Sequence, residues 1–217
     1  MVSGHANKEG EWFFKRFENK LKEVVVPRLP LWLGTQQLTY MTILWCIVII
    51  GFSYLAQFNV HYLWVVSLAI GLQWLTDLLD GAVGRYRNEG LVKWGFYMDH
   101  FLDYVFLASI VVGYFFFTEP QYYIHLLFLL AIFAGYMVNS FLYFGATHNF
   151  KISQHGIGPT EIRILFIVVN VLNIFVDRIF LAWTIPWILG LGVLGLAYQV
   201  YKDQKEIYAL DMKAMKK

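Results

Sequence analysis

The chain alternates long apolar segments with short polar ones. Six of the apolar segments approach the ~20 residues that a helix needs to cross a bilayer. These segments are residues 36–56, 61–81, 95–117, 122–145, 159–177 and 181–201. The pattern predicts an all-α integral membrane protein with six transmembrane helices.

A different pattern precedes the first span, in residues 8–26. Apolar side chains recur there at helical spacing, with polar ones on the other side. The apolar set is Phe13, Phe17, Leu21 and Val24, and the polar set is Lys15, Glu18 and Lys22. This predicts an amphipathic helix that lies in the membrane interface, the alternative being an ordinary solvent-facing helix. Pro27 and Pro30 then break the chain before the first span.

Composition agrees with a membrane protein: 59% of the residues are hydrophobic and 15% are charged, against about 25% charged in soluble domains. All but one of the 17 Lys and Arg residues, the exception being Arg178, fall on one side of the predicted topology. The positive-inside rule makes that side cytoplasmic, with both termini cytoplasmic. We expect a juxtamembrane segment (1–30), a six-helix catalytic domain (31–206) and a cytoplasmic tail (207–217). No nucleic-acid partner is expected.

Four aspartates provide the candidate chemistry. Asp77 and Asp80 are three residues apart on the second span, and Asp99 and Asp103 are four apart on the third. Each pair therefore shares one helix face, and both pairs lie at the predicted cytoplasmic ends of their helices. Carboxylates inside a membrane are costly unless paired or neutralised, and hard divalent cations prefer oxygen ligands. The pattern predicts a metal site, with two ions as in two-metal phosphoryl chemistry.

Small residues and one arginine accompany the aspartates. Gly81, Gly84 and Gly95 leave space for a ligand, although glycines in membrane helices also serve as packing positions. The guanidinium of Arg85 matches the geometry of phosphate.

Together these residues resemble the signature of the CDP-alcohol phosphotransferase family, D-x-x-D-G-x-x-A-R followed after about eight residues by G-x-x-x-D-x-x-x-D. Here Gly84 replaces the alanine and the spacer has nine residues. The resemblance implies that Asp77, Asp80 and Asp99 hold two Mg²⁺ or Mn²⁺ ions. It also implies that Asp103 is the general base and a possible metal ligand. Gly81 would admit the cytidine, Arg85 would bind the diphosphate, and the protein would be a homodimer.

A second polar segment lies between the fourth and fifth spans. Gly158, Pro159 and Glu161 fit a helix start, with a cap, a first-turn proline and an acid near the helix dipole. That explanation does not cover Arg163, one turn inside an apolar helix, or the nearby His148. The string G-P-T-E also resembles the aminoalcohol branch of the family. Glu161, Arg163 and His148 are therefore candidate contacts for the second substrate.

Two other functions fit part of the pattern. Intramembrane prenyltransferases use Asp-rich motifs and magnesium, but they leave Gly81 and Arg85 unexplained. A cation transporter would have carboxylates along a pathway, whereas here they cluster at one end of two helices. The favoured activity transfers a phospho-alcohol group to an acceptor hydroxyl with release of CMP. The donor is either CDP-diacylglycerol or a CDP-aminoalcohol.

Overall fold

The computed structural model describes residues 7–9, 13–151, 158–176 and 179–215. Seven α-helices account for most of them. They are α1 (Lys15–Val25), α2 (Thr35–Ala56), α3 (Leu63–Arg87), α4 (Val92–Phe117), α5 (Tyr123–Thr147), α6 (Pro159–Phe175) and α7 (Ile179–Ala214). Arg178, part of the sequence-based topology argument, lies outside the described residues.

Five of these helices, α2 to α5 and α7, are long and apolar enough to cross a membrane. They confirm the predicted class of a helical membrane protein. Large apolar side chains point away from the protein along these helices, including Ile47, Leu68, Leu142 and Leu194, each more than 60% exposed. Such a surface suits lipid rather than water. Helix α6 has 17 residues, short of the usual span length, so the sixth crossing stays a prediction.

The best-packed part of the bundle is built on α2. Helices α3 and α4 each pack chiefly against α2, and α6 packs against α3. The side chains of Ile49, Ile70, Phe106 and Ile110 are buried between these helices. Because α3 and α4 share α2 as a common support, their carboxylates are carried on two helices with a fixed relative position.

Helix α1 covers part of the segment in which the sequence predicts an amphipathic helix, and it begins at Lys15 rather than at residue 8. Phe13, just before it, and Phe17 and Val24 within it are all more than half exposed. Glu18, on the other side, is 4% exposed and is turned toward the protein. The position of α1 in a membrane interface stays a prediction.

Two three-residue strands add a feature that the apolar pattern did not predict. Strand β1 (Asn7–Glu9) pairs in parallel with β2 (Asn149–Lys151), which directly follows the end of α5. The pairing places the N-terminal part of the chain beside the connection between α5 and α6.

The connection between α3 and α4 is tied to the segment that precedes α2. The Arg87 guanidinium donates to four backbone carbonyls of that segment, those of Leu29, Pro30, Leu31 and Leu33. The backbone N–H of Thr35, at the start of α2, donates to the Glu89 carboxylate over 3.0 Å. These contacts fold both connections into one corner, hereafter the Arg87 corner.

Two hydrogen bonds between α5 and α7, with a third within α7, form what we call the α5–α7 polar seam. Asp203 Oδ2 accepts from the side-chain amides of Asn139 (2.7 Å) and Gln199 (2.8 Å). The Tyr143 hydroxyl donates to Glu206 over 2.6 Å. Helix α7 continues through these residues to Ala214 without a break, so no change of structure marks the predicted start of the tail at residue 207.

Candidate active site

Three of the four aspartates converge near the C-terminal end of α3 and the N-terminal half of α4. Asp77, Asp99 and Asp103 each offer an oxygen, and these oxygens lie within 4.8 Å of one another. Their side chains are between 22% and 27% exposed, so a ligand can reach them. We call this group the acidic centre.

The convergence follows from helix geometry. Asp99 and Asp103 are one turn apart on α4 and face the same side. Asp77 reaches them from α3, ten residues before the end of that helix at Arg87. Three carboxylates at this separation repel one another strongly where little water screens them. Nearby positive charge, or protonation of a carboxylate, relieves this repulsion.

Arg163 supplies one positive charge from α6. Its Nη2 lies 2.9 Å from Asp77 Oδ2 and 3.0 Å from Asp103 Oδ1. Its Nε donates to the Gln73 side-chain oxygen over 2.7 Å, and its guanidinium carbon lies 5.2 Å from the centre of the Phe106 ring. The residue is 4% exposed. Arg163 was predicted as a substrate contact, and the structure places it within the acidic centre.

Asp80 stands apart from the three-carboxylate group. Its Oδ2 accepts from the Thr39 hydroxyl over 2.9 Å, and its Oδ1 accepts from the backbone N–H of Gly81. The Thr35 hydroxyl donates to the Asp80 backbone carbonyl over 2.9 Å. The end of α3 is thus fixed to the start of α2 at Asp80. Its predicted role as a metal ligand stays a prediction.

The three glycines have different surroundings. A Cβ on Gly81 would lie 3.3 Å from the Arg85 guanidinium, whereas a Cβ on Gly95 would meet open space. A Cβ on Gly84 would lie 2.6 Å from the Thr35 hydroxyl. Gly84 therefore lies where α3 packs closely against α2, which agrees with the packing explanation that the sequence left open.

Arg85 borders a cavity between α1 and α3. The cavity has a volume of about 330 Å³ and also contacts Lys22 and Asn19 of α1 and Tyr86 of α3. Arg85 is exposed and lies beside Gly81. The lining also includes the Glu23 carboxylate and none of the three aspartates of the acidic centre. The guanidinium of Arg85 suits a phosphate group.

The segment before α6 connects α1 to the bundle. Gly158 caps α6 and Pro159 is its first residue, as expected. The Glu161 carboxylate accepts from the backbone N–H groups of Gly158 (2.8 Å) and Phe13 (3.0 Å). His148 is exposed at the end of α5, with a φ of 60°. Glu161 and His148 are not among the three carboxylates of the acidic centre.

Thr160 links three elements at this point. Its hydroxyl donates to Glu18 over 2.6 Å and accepts from the Trp74 indole over 3.0 Å. The rings of Phe17 and Trp74 are stacked, with centroids 6.5 Å apart. Helix α1 therefore packs against α3 at Trp74, three residues before Asp77.

The acidic centre has the chemistry of a divalent metal site. Its three ligating groups are carboxylates, and their spacing allows oxygens from all three to approach one ion. Mg²⁺ and Mn²⁺ favour such hard oxygen ligands. The residues present therefore fit a divalent cation.

Comparison with known families gives the assignment. The family model described as CDP-alcohol phosphatidyltransferase matches residues 32–194, well over half of the chain. The chain belongs to the CDP-alcohol phosphatidyltransferase family. The match begins just before α2 and includes the acidic centre, Arg85 and Arg163. Searches of the curated proteins and of the solved structures give no match.

Membership sets the general chemistry of the protein. CDP-alcohol phosphatidyltransferases are membrane transferases of phospholipid biosynthesis that use a CDP-alcohol donor, an alcohol acceptor and divalent metals. The sequence-based resemblance to this family is confirmed.

Several residues at the centre of this CDP-alcohol phosphatidyltransferase were not predicted. Gln73 precedes Asp77 by one helical turn, so its shared face could have been read from the spacing. Thr39 and His100 carried no comparable signal. His100 Nδ1 lies 3.4 Å from Asp99 Oδ2, and its ring contacts Phe96 and Phe141.

Proposed function

We propose that this protein transfers a phospho-alcohol group from a CDP-alcohol to an acceptor hydroxyl and releases CMP. The observation that carries the proposal is the acidic centre, where Asp77, Asp99 and Asp103 offer oxygens within 4.8 Å of one another. These residues belong to the ordered set of Asp, Gly and Arg residues that resembles the family signature.

Asp77, Asp80 and Asp99 hold two divalent ions in this proposal, with Asp103 as a further ligand. Bound Mg²⁺ or Mn²⁺ supplies positive charge that attracts and polarises phosphate oxygens.

Arg85 binds the donor diphosphate. Its guanidinium lies 3.3 Å from the position that a Cβ on Gly81 would take. Gly81 admits the cytidine end of the donor in this proposal. The 330 Å³ cavity beside Arg85 supports this placement. Gly95, with open space at its Cβ position, borders the acceptor side.

Asp103 acts as the general base. It accepts the proton of the acceptor hydroxyl as the oxygen attacks the phosphorus atom bonded to the transferred alcohol. The new O–P bond forms while the P–O bond to CMP breaks, and CMP leaves with that electron pair. The Asp103 side chain is 27% exposed, which leaves it accessible to an incoming hydroxyl.

The second-substrate site is proposed on the same side of the bundle, near His148 and Glu161. We place this side in the cytoplasm because nearly all Lys and Arg residues collect there. A homodimer is the proposed assembly. The donor is CDP-diacylglycerol or a CDP-aminoalcohol, and each predicts a different lipid product.

Purified protein in lipid nanodiscs tests the proposal. It is incubated with Mg²⁺, each CDP-alcohol in turn and a panel of polar alcohols or diacylglycerol. CMP release and the lipid product are followed by mass spectrometry. We expect CMP and one new phospholipid with one donor class. A parallel incubation contains a prenyl diphosphate instead of a CDP-alcohol. Release of pyrophosphate there, without CMP from any donor, would identify a prenyltransferase.

A further inference from the structure

Arg163 occupies the middle of the acidic centre. One nitrogen, Nη2, contacts both Asp77 and Asp103. The Nε hydrogen bond to Gln73 and the Phe106 ring hold the guanidinium from the other sides. Asp77 and Asp103 are also two of the three residues that form the candidate metal group. Arg163 therefore contacts two of the carboxylates that a metal ion at the acidic centre would bind.

The charges of the acidic centre and Arg163 show why this shared binding matters. Asp77, Asp99 and Asp103 as carboxylates carry three negative charges, and Arg163 carries one positive charge. The remainder equals the charge of a single divalent ion. Asp80 adds a further carboxylate for the second proposed ion, and an ion that binds at the acidic centre lies at short range from the buried cation of Arg163.

We propose that Arg163 is a built-in counter-ion that takes the place of metal when the site is empty and releases Asp77 or Asp103 when metal binds. This inference rests on the proposed metal site and adds to it. In the metal-free protein, Arg163 offsets the repulsion among the carboxylates. After metal binding, its guanidinium is left beside the position of the anionic donor. Arg163 is thus a positioning residue that couples metal binding to donor binding.

A purely structural role predicts the opposite result. If Arg163 only held Asp77 and Asp103 in the geometry that metal requires, its loss would weaken metal binding. If it competes with metal, its loss strengthens metal binding, because a neutral side chain neither occupies the carboxylates nor repels the ion. The sign of the change in metal affinity therefore separates the two roles.

The experiment measures Mn²⁺ binding to the metal-free protein by electron paramagnetic resonance, without any substrate. Wild type is compared with Arg163→Gln, which keeps hydrogen-bond donors but removes the charge, and with Arg163→Lys, which keeps the charge. We expect Arg163→Gln to bind Mn²⁺ about tenfold more tightly or better, since a neighbouring cation is removed. Arg163→Lys should stay near wild type. Metal-free Arg163→Gln should also melt at a lower temperature and recover with Mn²⁺.

The outcomes distinguish this inference from the proposed function. If wild type binds no Mn²⁺, the proposed metal site itself is wrong. Wild type that binds Mn²⁺, with Arg163→Gln equal or weaker, would overturn the counter-ion role alone. If Arg163→Gln does not fold, Arg163→Met gives the answer, because it also removes the charge while keeping a long side chain beside the Phe106 ring. It should bind Mn²⁺ more tightly than wild type, and unchanged or weaker binding would overturn the inference.

Discussion

The acidic centre and the α5–α7 polar seam both place carboxylates between membrane-length helices, but their partners differ. In the seam, Asp203 and Glu206 accept hydrogen bonds from neutral amides and a hydroxyl. In the acidic centre, three carboxylates converge on each other and share one guanidinium. A carboxylate that accepts hydrogen bonds from neutral donors on another helix holds the two helices together. Crowded carboxylates instead favour bound cations, which makes the acidic centre the candidate chemical site.

The largest expected difference between the two regions concerns metal. Excess chelator should abolish CMP release, and Mg²⁺ or Mn²⁺ should restore it, because an anionic donor cannot approach uncompensated carboxylates. Asp99→Asn should lose both Mn²⁺ binding and turnover, whereas the matched change Asp203→Asn should keep both. Full activity in excess chelator would show that the acidic centre does not depend on metal and would contradict this prediction.

The next prediction separates chemistry from metal binding within the centre. Asp103→Asn should lower turnover by about 100-fold or more, the usual scale for loss of a general base, while donor binding stays near normal. Turnover is measured across a Mg²⁺ titration. Recovery at high Mg²⁺ would show that Asp103 acts as a metal ligand rather than as the base.

Substitution of Arg85 should have a smaller effect, on the affinity for the donor. Arg85→Ala should weaken donor binding by about 1.5–3 kcal/mol, the range for hydrogen bonds to charged groups. Arg85→Lys should recover part of it, because an ammonium lacks the bidentate fork. Calorimetry with a non-reacting CDP-alcohol measures this, and Arg87→Lys in the neighbouring corner tests whether the effect is local. Unchanged affinity in Arg85→Ala would remove its assigned role.

The smallest effect on turnover is expected in the seam. Asp203→Leu leaves the amides of Asn139 and Gln199 without that acceptor, which should lower the free energy of unfolding by about 1–3 kcal/mol. Turnover per folded molecule should be unchanged below the melting temperature. Thermal unfolding and an activity assay on the same sample check this. A stable Asp203→Leu protein without activity would place the seam in the catalytic machinery.

Much of the centre was predictable because its residues are close in sequence. Asp99 and Asp103 share a face by spacing alone, and α3 and α4 were expected to carry the carboxylates to one side. The contact between Arg163 and Asp77 was not predictable in this way, since it joins residues 86 apart and depends on α6 packing against α3. Gly84 shows the same limit: its missing side chain makes room for Thr35, a residue of another helix.

The Arg87 corner also determines where the protein can be modified. The nine residues between Arg85 and Gly95 look like an ordinary connection, yet Arg87 and Glu89 within it bind the segment before α2. An epitope tag inserted there would separate these anchors and displace the ends of α3 and α4. The short connection between Phe117 and Tyr123, at the other end of α4, has exposed residues without such long-range ties among the described hydrogen bonds. A tag at that connection is therefore the suitable reporter for mapping which side of the membrane each end of the bundle faces.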